Sequence, residues 1–225
     1  MVTNALGTGL LLFCAFGGLP ATGAVLTYSD VLPPATTNWT GTFTLPKFDA
    51  ATFGTLNGVV LTLNGEATSN IFLESLDASP ATIQASSGTQ IVASTPLGPI
   101  MALAVNPVTF NASAFDGVND FGGTSGRSFI GLDAHVLQSL GSTAPADLAM
   151  FTGLGSFIVN VTFTGQSMSS GAGNLLAFFQ TMGGGRLSVA YDFDSGRQGG
   201  EVPEPASTLL VGCGLLLLGL RLKAR

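Results

Sequence analysis

The interior of the chain alternates large apolar residues with small or polar ones, in runs separated by turn-forming residues. Trp39-Thr40-Gly41-Thr42-Phe43-Thr44-Leu45 is one such run, and Gly58-Val59-Val60-Leu61-Thr62-Leu63 is another. A two-residue period places successive side chains on opposite faces of a strand, so each run predicts a strand with one face on a core. The second run closes on Asn64-Gly65, a pair that favours a tight hairpin. Ser69 to Leu76, Ala81 to Ser86 and Thr89 to Ala93 read as further strands, the last two joined across Ser87-Gly88. Ile100 to Val105 and Val108 to Ala112 flank Asn106-Pro107. Arg127 to Leu132, Ala134 to Leu140, Ser156 to Gly165, Leu175 to Thr181 and Arg186 to Phe193 complete the set. Gly183-Gly184-Gly185 reads as a hairpin turn; no Lys-Ser or Lys-Thr follows it, so it is not a phosphate loop. About ten short strands at this spacing predict an all-β fold, an antiparallel β-sandwich of jelly-roll-like kind. One helical turn is expected, Ala146 to Phe151 after Pro145, with Asp147 favouring its N-terminus.

The two ends follow a different pattern. Leu6 to Leu19 is an apolar run followed by Ala21-Thr22-Gly23-Ala24. Its length suits the core of a secretory signal and is short for a bilayer span, which takes about 20 residues. Cleavage is expected after Ala24, with Ala21 as the alternative. The usual N-terminal cations are missing, since the first basic residue is Lys47. A buried core segment is the competing reading of this run. At the other end, Glu201-Val202-Pro203-Glu204-Pro205-Ala206-Ser207 leads into the apolar stretch Thr208 to Leu220. The chain then closes on Arg221, Lys223 and Arg225. The two prolines hold the chain extended, and Pro205 and Ser207 suit the start of a helix. The 13 apolar residues make a single hydrophobic helix of roughly 20 Å against a hydrocarbon core of about 30 Å. Snorkelling Arg and Lys stems and local thinning narrow that gap. The terminal cations are expected on the cytoplasmic side.

Charged residues are only 9% of the chain, against about 25% in an ordinary soluble domain. Between Val25 and Val202, Lys47, Arg127, Arg186 and Arg197 face nine Asp and three Glu, a net charge of −8. Such a surface repels phosphate backbones, and nucleic acid is not an expected partner. The two cysteines, Cys14 and Cys213, both lie in the terminal apolar runs, so the body carries neither a disulfide framework nor a Cys-ligated metal. The chain's 16 Phe, all but Phe13 and Phe16 in the body, supply most of the bulky core volume.

The tail, with Pro203, Glu204 and Pro205 followed by an apolar helix and a basic end, resembles the PEP-CTERM sorting signal of exported bacterial proteins. That resemblance implies recognition and processing by exosortase, a membrane-embedded cysteine protease, on the way to the cell surface. A plain tail anchor is the alternative. The body is similar to a family that travels with interchangeable anchors, choice-of-anchor E. The likeness rests on Phe43-Thr44-Leu45-Pro46-Lys47-Phe48-Asp49, on Ala114-Phe115-Asp116-Gly117-Val118-Asn119-Asp120-Phe121-Gly122-Gly123-Thr124-Ser125-Gly126 and on Asp147-Leu148-Ala149-Met150-Phe151-Thr152-Gly153. It implies a location and no particular chemistry. The expected organisation is a signal peptide at 1–24, the sandwich body at 25–195, a linker at 196–202 and the sorting and anchoring segment at 203–225.

Candidate chemistry is sparse. His135 is the only histidine, which excludes multi-histidine zinc sites and leaves one base for a Ser-His-Asp triad. Gly123-Thr124-Ser125-Gly126 does not have the spacing of a nucleophile elbow. Asp116, Asn119 and Asp120 form the densest set of oxygen ligands, the material of a calcium loop or of a turn built from Asp, Asn and Gly. Asp192 and Asp194 share one face of a strand and are a lesser calcium candidate. No cofactor is expected and no catalytic residue is nominated. The reading is a non-enzymatic surface or extracellular-matrix protein, structural or adhesive, with exosortase, the inner membrane and exopolysaccharide as partners. The alternative is a secreted carbohydrate-binding module, calcium-dependent or not, or a carbohydrate-active enzyme. Two or more carboxylates lining a concave face would favour that alternative.

Overall fold

The computed structural model describes residues 23–195, which form eight strands and two short helices. The strands are β1 (Ala24–Thr36), β2 (Trp39–Pro46), β3 (Thr55–Ser75), β4 (Ala81–Thr95), β5 (Gly98–Ala112), β6 (Gly126–Ser142), β7 (Ser156–Ser170) and β8 (Leu175–Asp194). Helix α1 is Ala50–Phe53 and α2 is Pro145–Phe151. Two four-stranded antiparallel sheets face each other, sheet A in the order β1-β8-β3-β6 and sheet B in the order β2-β7-β4-β5. Every connection crosses between the sheets except the β4–β5 hairpin. That hairpin turns on Thr95 and Gly98, with Thr95 Oγ1 donating to the Gly98 carbonyl at 2.6 Å and φ at Gly98 of +116°. Among the described residues, no helix is long and apolar enough to cross a membrane.

The strands are fewer and longer than the sequence pattern predicts. Asn64-Gly65 is not a hairpin: β3 runs straight through it for 21 residues. β4 likewise runs through Ser87-Gly88, β5 through Asn106-Pro107 and β8 through Gly183-Gly184-Gly185. The predicted pair Arg127 to Leu132 and Ala134 to Leu140 is one strand, β6, with a register break where the Asn70 side chain accepts the Gly131 N–H at 2.8 Å. β1 was not anticipated as a strand, and neither was α1, which starts at Asp49 as its N-cap.

The glycines are there for close approach. A Cβ on Gly65 would collide with Ile91 of the opposite sheet, and one on Gly183 would lie 2.5 Å from Thr89 Cγ2. One on Gly184 would lie 2.7 Å from the backbone nitrogen of Pro34. These positions form a waist across the middle of the sandwich, and turn-forming residues there bring backbones together instead of reversing the chain. Pro107 is tolerated because β5 is an edge strand and has no partner on its second side.

The waist divides the core. The larger cluster gathers Phe43, Leu61, Val159, Phe163, Val189 and Tyr191 among others, and the smaller one centres on Ile71, Leu73 and Ile83. Hydroxyl and amide side chains lie between them. Ser87 Oγ is 2.5 Å from Thr181 Oγ1 and 3.1 Å from Ser167 Oγ, and Asn106 Nδ2 donates to the Leu132 carbonyl at 2.9 Å. Thr89 Oγ1 is buried with no partner. Each satisfied pair offsets the cost of removing these groups from water, and the lone hydroxyl does not.

Tyr191 is fully buried and its hydroxyl donates to the Pro46 carbonyl at 2.8 Å, tying β8 to β2 across the sheets. Burial, and then the neighbouring Tyr28, push its phenol well above the ordinary value near 10. Below about pH 10 the phenol is protonated in both states, and its contribution to stability is complete. Above that pH the unfolded chain ionises first, so stability falls as pH rises. Tyr191→Phe is expected to cost about 1 kcal/mol at neutral pH and to flatten the alkaline loss. Urea unfolding at neutral pH and above pH 10 measures both effects.

Candidate functional site

The loop between β5 and β6 carries the oxygen ligands nominated from sequence. Asp116 Oδ1 accepts the Val118 N–H at 3.0 Å and Oδ2 the Thr124 N–H at 3.4 Å. These bonds, that from Val118 first, hold its carboxyl below the usual range. Asp120 Oδ1 accepts the Gly122 N–H at 2.8 Å. The carboxylates thus face their own loop's backbone, the arrangement of turns closed by side chains. Among the described residues, no group of three or more His, Cys, Asp or Glu gathers where a metal ion could sit.

The residue that organises this loop is Glu74, which the sequence reading did not single out. It is completely buried, with Oε1 accepting the Ser125 hydroxyl at 2.6 Å and Oε2 the Phe121 N–H at 2.8 Å. Three residues on, Asp77 accepts the N–H groups of Gly173 at 2.7 Å and Asn174 at 2.8 Å. Two acids at the end of β3 therefore fasten the β5–β6 loop and the β7–β8 turn. The available signal was a glutamate inside the apolar run Ile71 to Leu76, where a solvated charge is out of place.

His135 lies on the outer face of sheet A directly opposite Glu66 in the β3–β6 register. Ser125, in the segment without the spacing of a nucleophile elbow, gives its hydroxyl to Glu74. Asp192 and Asp194 are exposed near the end of β8, Asp192 beside a concavity of ≈ 440 Å³ in which it is the only carboxylate. A groove of ≈ 570 Å³ beside the Thr37-Asn38 turn is lined by hydroxyl, amide and apolar side chains and has no carboxylate.

The outer surfaces of the two sheets differ sharply. β2, β4, β5 and β7 contain no Asp, Glu, Lys, Arg or His, so sheet B is free of ionisable groups from edge to edge. The strands of sheet A carry Asp30, Glu66, Glu74, Asp133, Asp192 and Asp194 with Arg127, His135 and Arg186. Threonines 40, 42 and 44 line the β2 side of the sheet B face, and exposed Met101, Leu103 and Val105 line the β5 side.

The expected sorting residues Pro203, Glu204 and Pro205, the expected apolar helix and the cations Arg221, Lys223 and Arg225 lie outside the described residues, as does the expected signal segment up to residue 22. Ala24 is the first residue of β1, paired with Phe193, so cleavage after Ala21 leaves the strand whole and cleavage after Ala24 removes its first residue. No protein-family model, curated protein or solved structure matches the chain.

Proposed function

We propose that this chain is an exported bacterial surface or extracellular-matrix protein with a structural or adhesive role. In this reading it is sorted through Pro203-Glu204-Pro205 and processed by an exosortase-type membrane protease. The observation that carries it is the order of features in the sequence. An apolar leader precedes the body, and a Pro-Glu-Pro motif, an apolar stretch and three terminal cations follow it. The strand orders β1-β8-β3-β6 and β2-β7-β4-β5 support a jelly-roll body, the two halves of the chain wound together across the sandwich. The acids are scattered, and neither concavity described above pairs two carboxylates, which favours a binding or structural body over a glycosidase. The ion-free face of sheet B is a surface for a neutral polymer such as an exopolysaccharide. A charged face would hold water and counterions that a neutral chain must displace.

Fractionation of cells producing the wild type and Glu204→Ala tests the sorting step. The variant is expected to accumulate in the inner membrane with its C-terminus intact through Arg225, whereas the wild type reaches the surface without it. Identical distribution and identical termini would count against motif-directed sorting and leave a plain tail anchor.

A further inference from the structure

Each sheet is four strands wide only along part of its length. β1 pairs with β8 from Phe193 down to Met182, and below that β8 pairs with β3 alone. The Thr37 N–H donates to the Thr181 carbonyl at 3.1 Å, so the Thr181 backbone faces the β1 side. Backbone groups alternate sides along a strand, and Phe179, Ala177 and Leu175 therefore present their N–H and C=O groups to the same side. Among the described residues no strand occupies it. The groove of ≈ 570 Å³ opens at the head of this edge, beside the Thr37-Asn38 turn.

The open stretch of β7 beyond β2, Thr164 to Ser170, is built of Gly165 and small hydroxyl and amide residues, with Met168 as its only large apolar side chain. The remaining sheet edges carry features that discourage pairing. β1 has Pro33, Pro34 and a register break; β5 has Pro99 and Pro107; β6 has a register break and the charges of Arg127 and Asp133; β2 is short and ends at Pro46 and Lys47. The stretch Leu175-Leu176-Ala177-Phe178-Phe179-Gln180-Thr181 has no charge, proline or bulge, and on its outer face Leu176 and Phe178 are exposed at 39% and 50%. An apolar, uncharged edge without proline or bulge is a template for another strand.

We propose that this edge pairs with the same edge of a second copy of the chain, joining two A sheets about a two-fold axis. An antiparallel edge is self-complementary, since residues on either side of its centre exchange places under the two-fold. Charge also selects this stretch: on a body of net charge −8, it lets two copies meet without opposing acids. The exposed Leu176 and Phe178 of each copy then cover one another, and the free N–H and C=O groups gain partners.

The test uses the full chain with Cys14 and Cys213 replaced by Ser, which leaves no other thiol. Phe178→Cys in that background is expected to give a dimer with a short bismaleimide cross-linker. Thr162→Cys, on the outer face of β7, is expected to stay monomeric. Adding Ala177→Pro removes a donor only from the open side, because the β3 ladder uses the even-numbered residues of this stretch. It is expected to lower the cross-linked fraction about tenfold. Leu176→Lys, a charge on the same edge, is expected to do the same, and serves if the proline variant loses its far-UV β signal. A dimer absent from Phe178→Cys, equal in Thr162→Cys, or unaffected by the folded edge variants would overturn the proposal. So would a cross-linked product whose mass matches one copy joined to a different protein.

Discussion

Glu74→Ala is expected to destabilise the protein by about 3 kcal/mol, because it strands one buried and one part-buried donor, each worth roughly 1–3 kcal/mol when left unpaired. The donors are the part-buried Phe121 N–H and the fully buried Ser125 hydroxyl, both satisfied by the buried Glu74 carboxyl. The damage should be local first. The β5–β6 loop is otherwise held by the Asp116 and Asp120 side chains and by backbone bonds such as Ser113 N–H to the Thr124 carbonyl and Phe115 N–H to the Asp77 carbonyl. Proteolysis within 113–125 and amide exchange there are expected to rise before the sandwich opens. Glu74→Gln keeps an acceptor of the same shape, and is expected to recover most of the loss. Equal proteolysis of wild type and Glu74→Ala would show that the loop holds itself.

Phe163→Ala is expected to cost about 3–5 kcal/mol, the range for removing a phenyl ring from a closed core. Phe163 is fully buried where β7 lies between β2 and β4, opposite Trp39 on one side and Ile91 on the other. The Trp39 indole stacks on it with ring centres 4.4 Å apart and planes 11° apart. Trp39 Nε1 donates to the Gly183 carbonyl at 3.2 Å, so the same side chain links β2 to the glycine waist of sheet A. Removing the phenyl ring empties the cavity and releases the indole. Trp39 is the only tryptophan, so its fluorescence in a urea titration reports both the unfolding midpoint and the local environment. A loss below about 1 kcal/mol with an unshifted emission would mean that the core closes over the gap.

Helix α2 was readable because its signals are local. Pro145 fits the first turn of a helix, Asp147 lies in that turn, and Leu148 and Phe151 fall one turn apart and are buried. The strands were readable in kind for the same reason, since the alternation in Phe43-Thr44-Leu45 or Val159-Asn160-Val161 is a property of neighbours. Their ends were not. Asn64-Gly65 and Gly183-Gly184-Gly185 carry the composition of a turn, but whether a glycine bends the chain or admits another backbone depends on what lies across from it. What lies across is Ile91, Thr89 and Pro34, distant in sequence. Glu74 was passed over on similar grounds. Its partners Phe121 and Ser125 come from a loop beyond two intervening strands.

The linear order of residues was enough to establish an all-β body between two apolar ends, a net acidic interior and a tail in which Pro203-Glu204-Pro205 precedes an apolar stretch and three cations. Those properties depend on composition and near neighbours, and survive any arrangement of the strands. Only the tertiary structure decided that the ion-free strands β2, β4, β5 and β7 assemble as one sheet while the charges collect on the other. It alone showed that β1 stops short and leaves Leu175 to Phe179 with β3 as their one partner strand among the described residues. Strand order and overlap arise from pairings between residues far apart in the chain, and no local pattern of apolar and polar positions encodes which strand lies beside which.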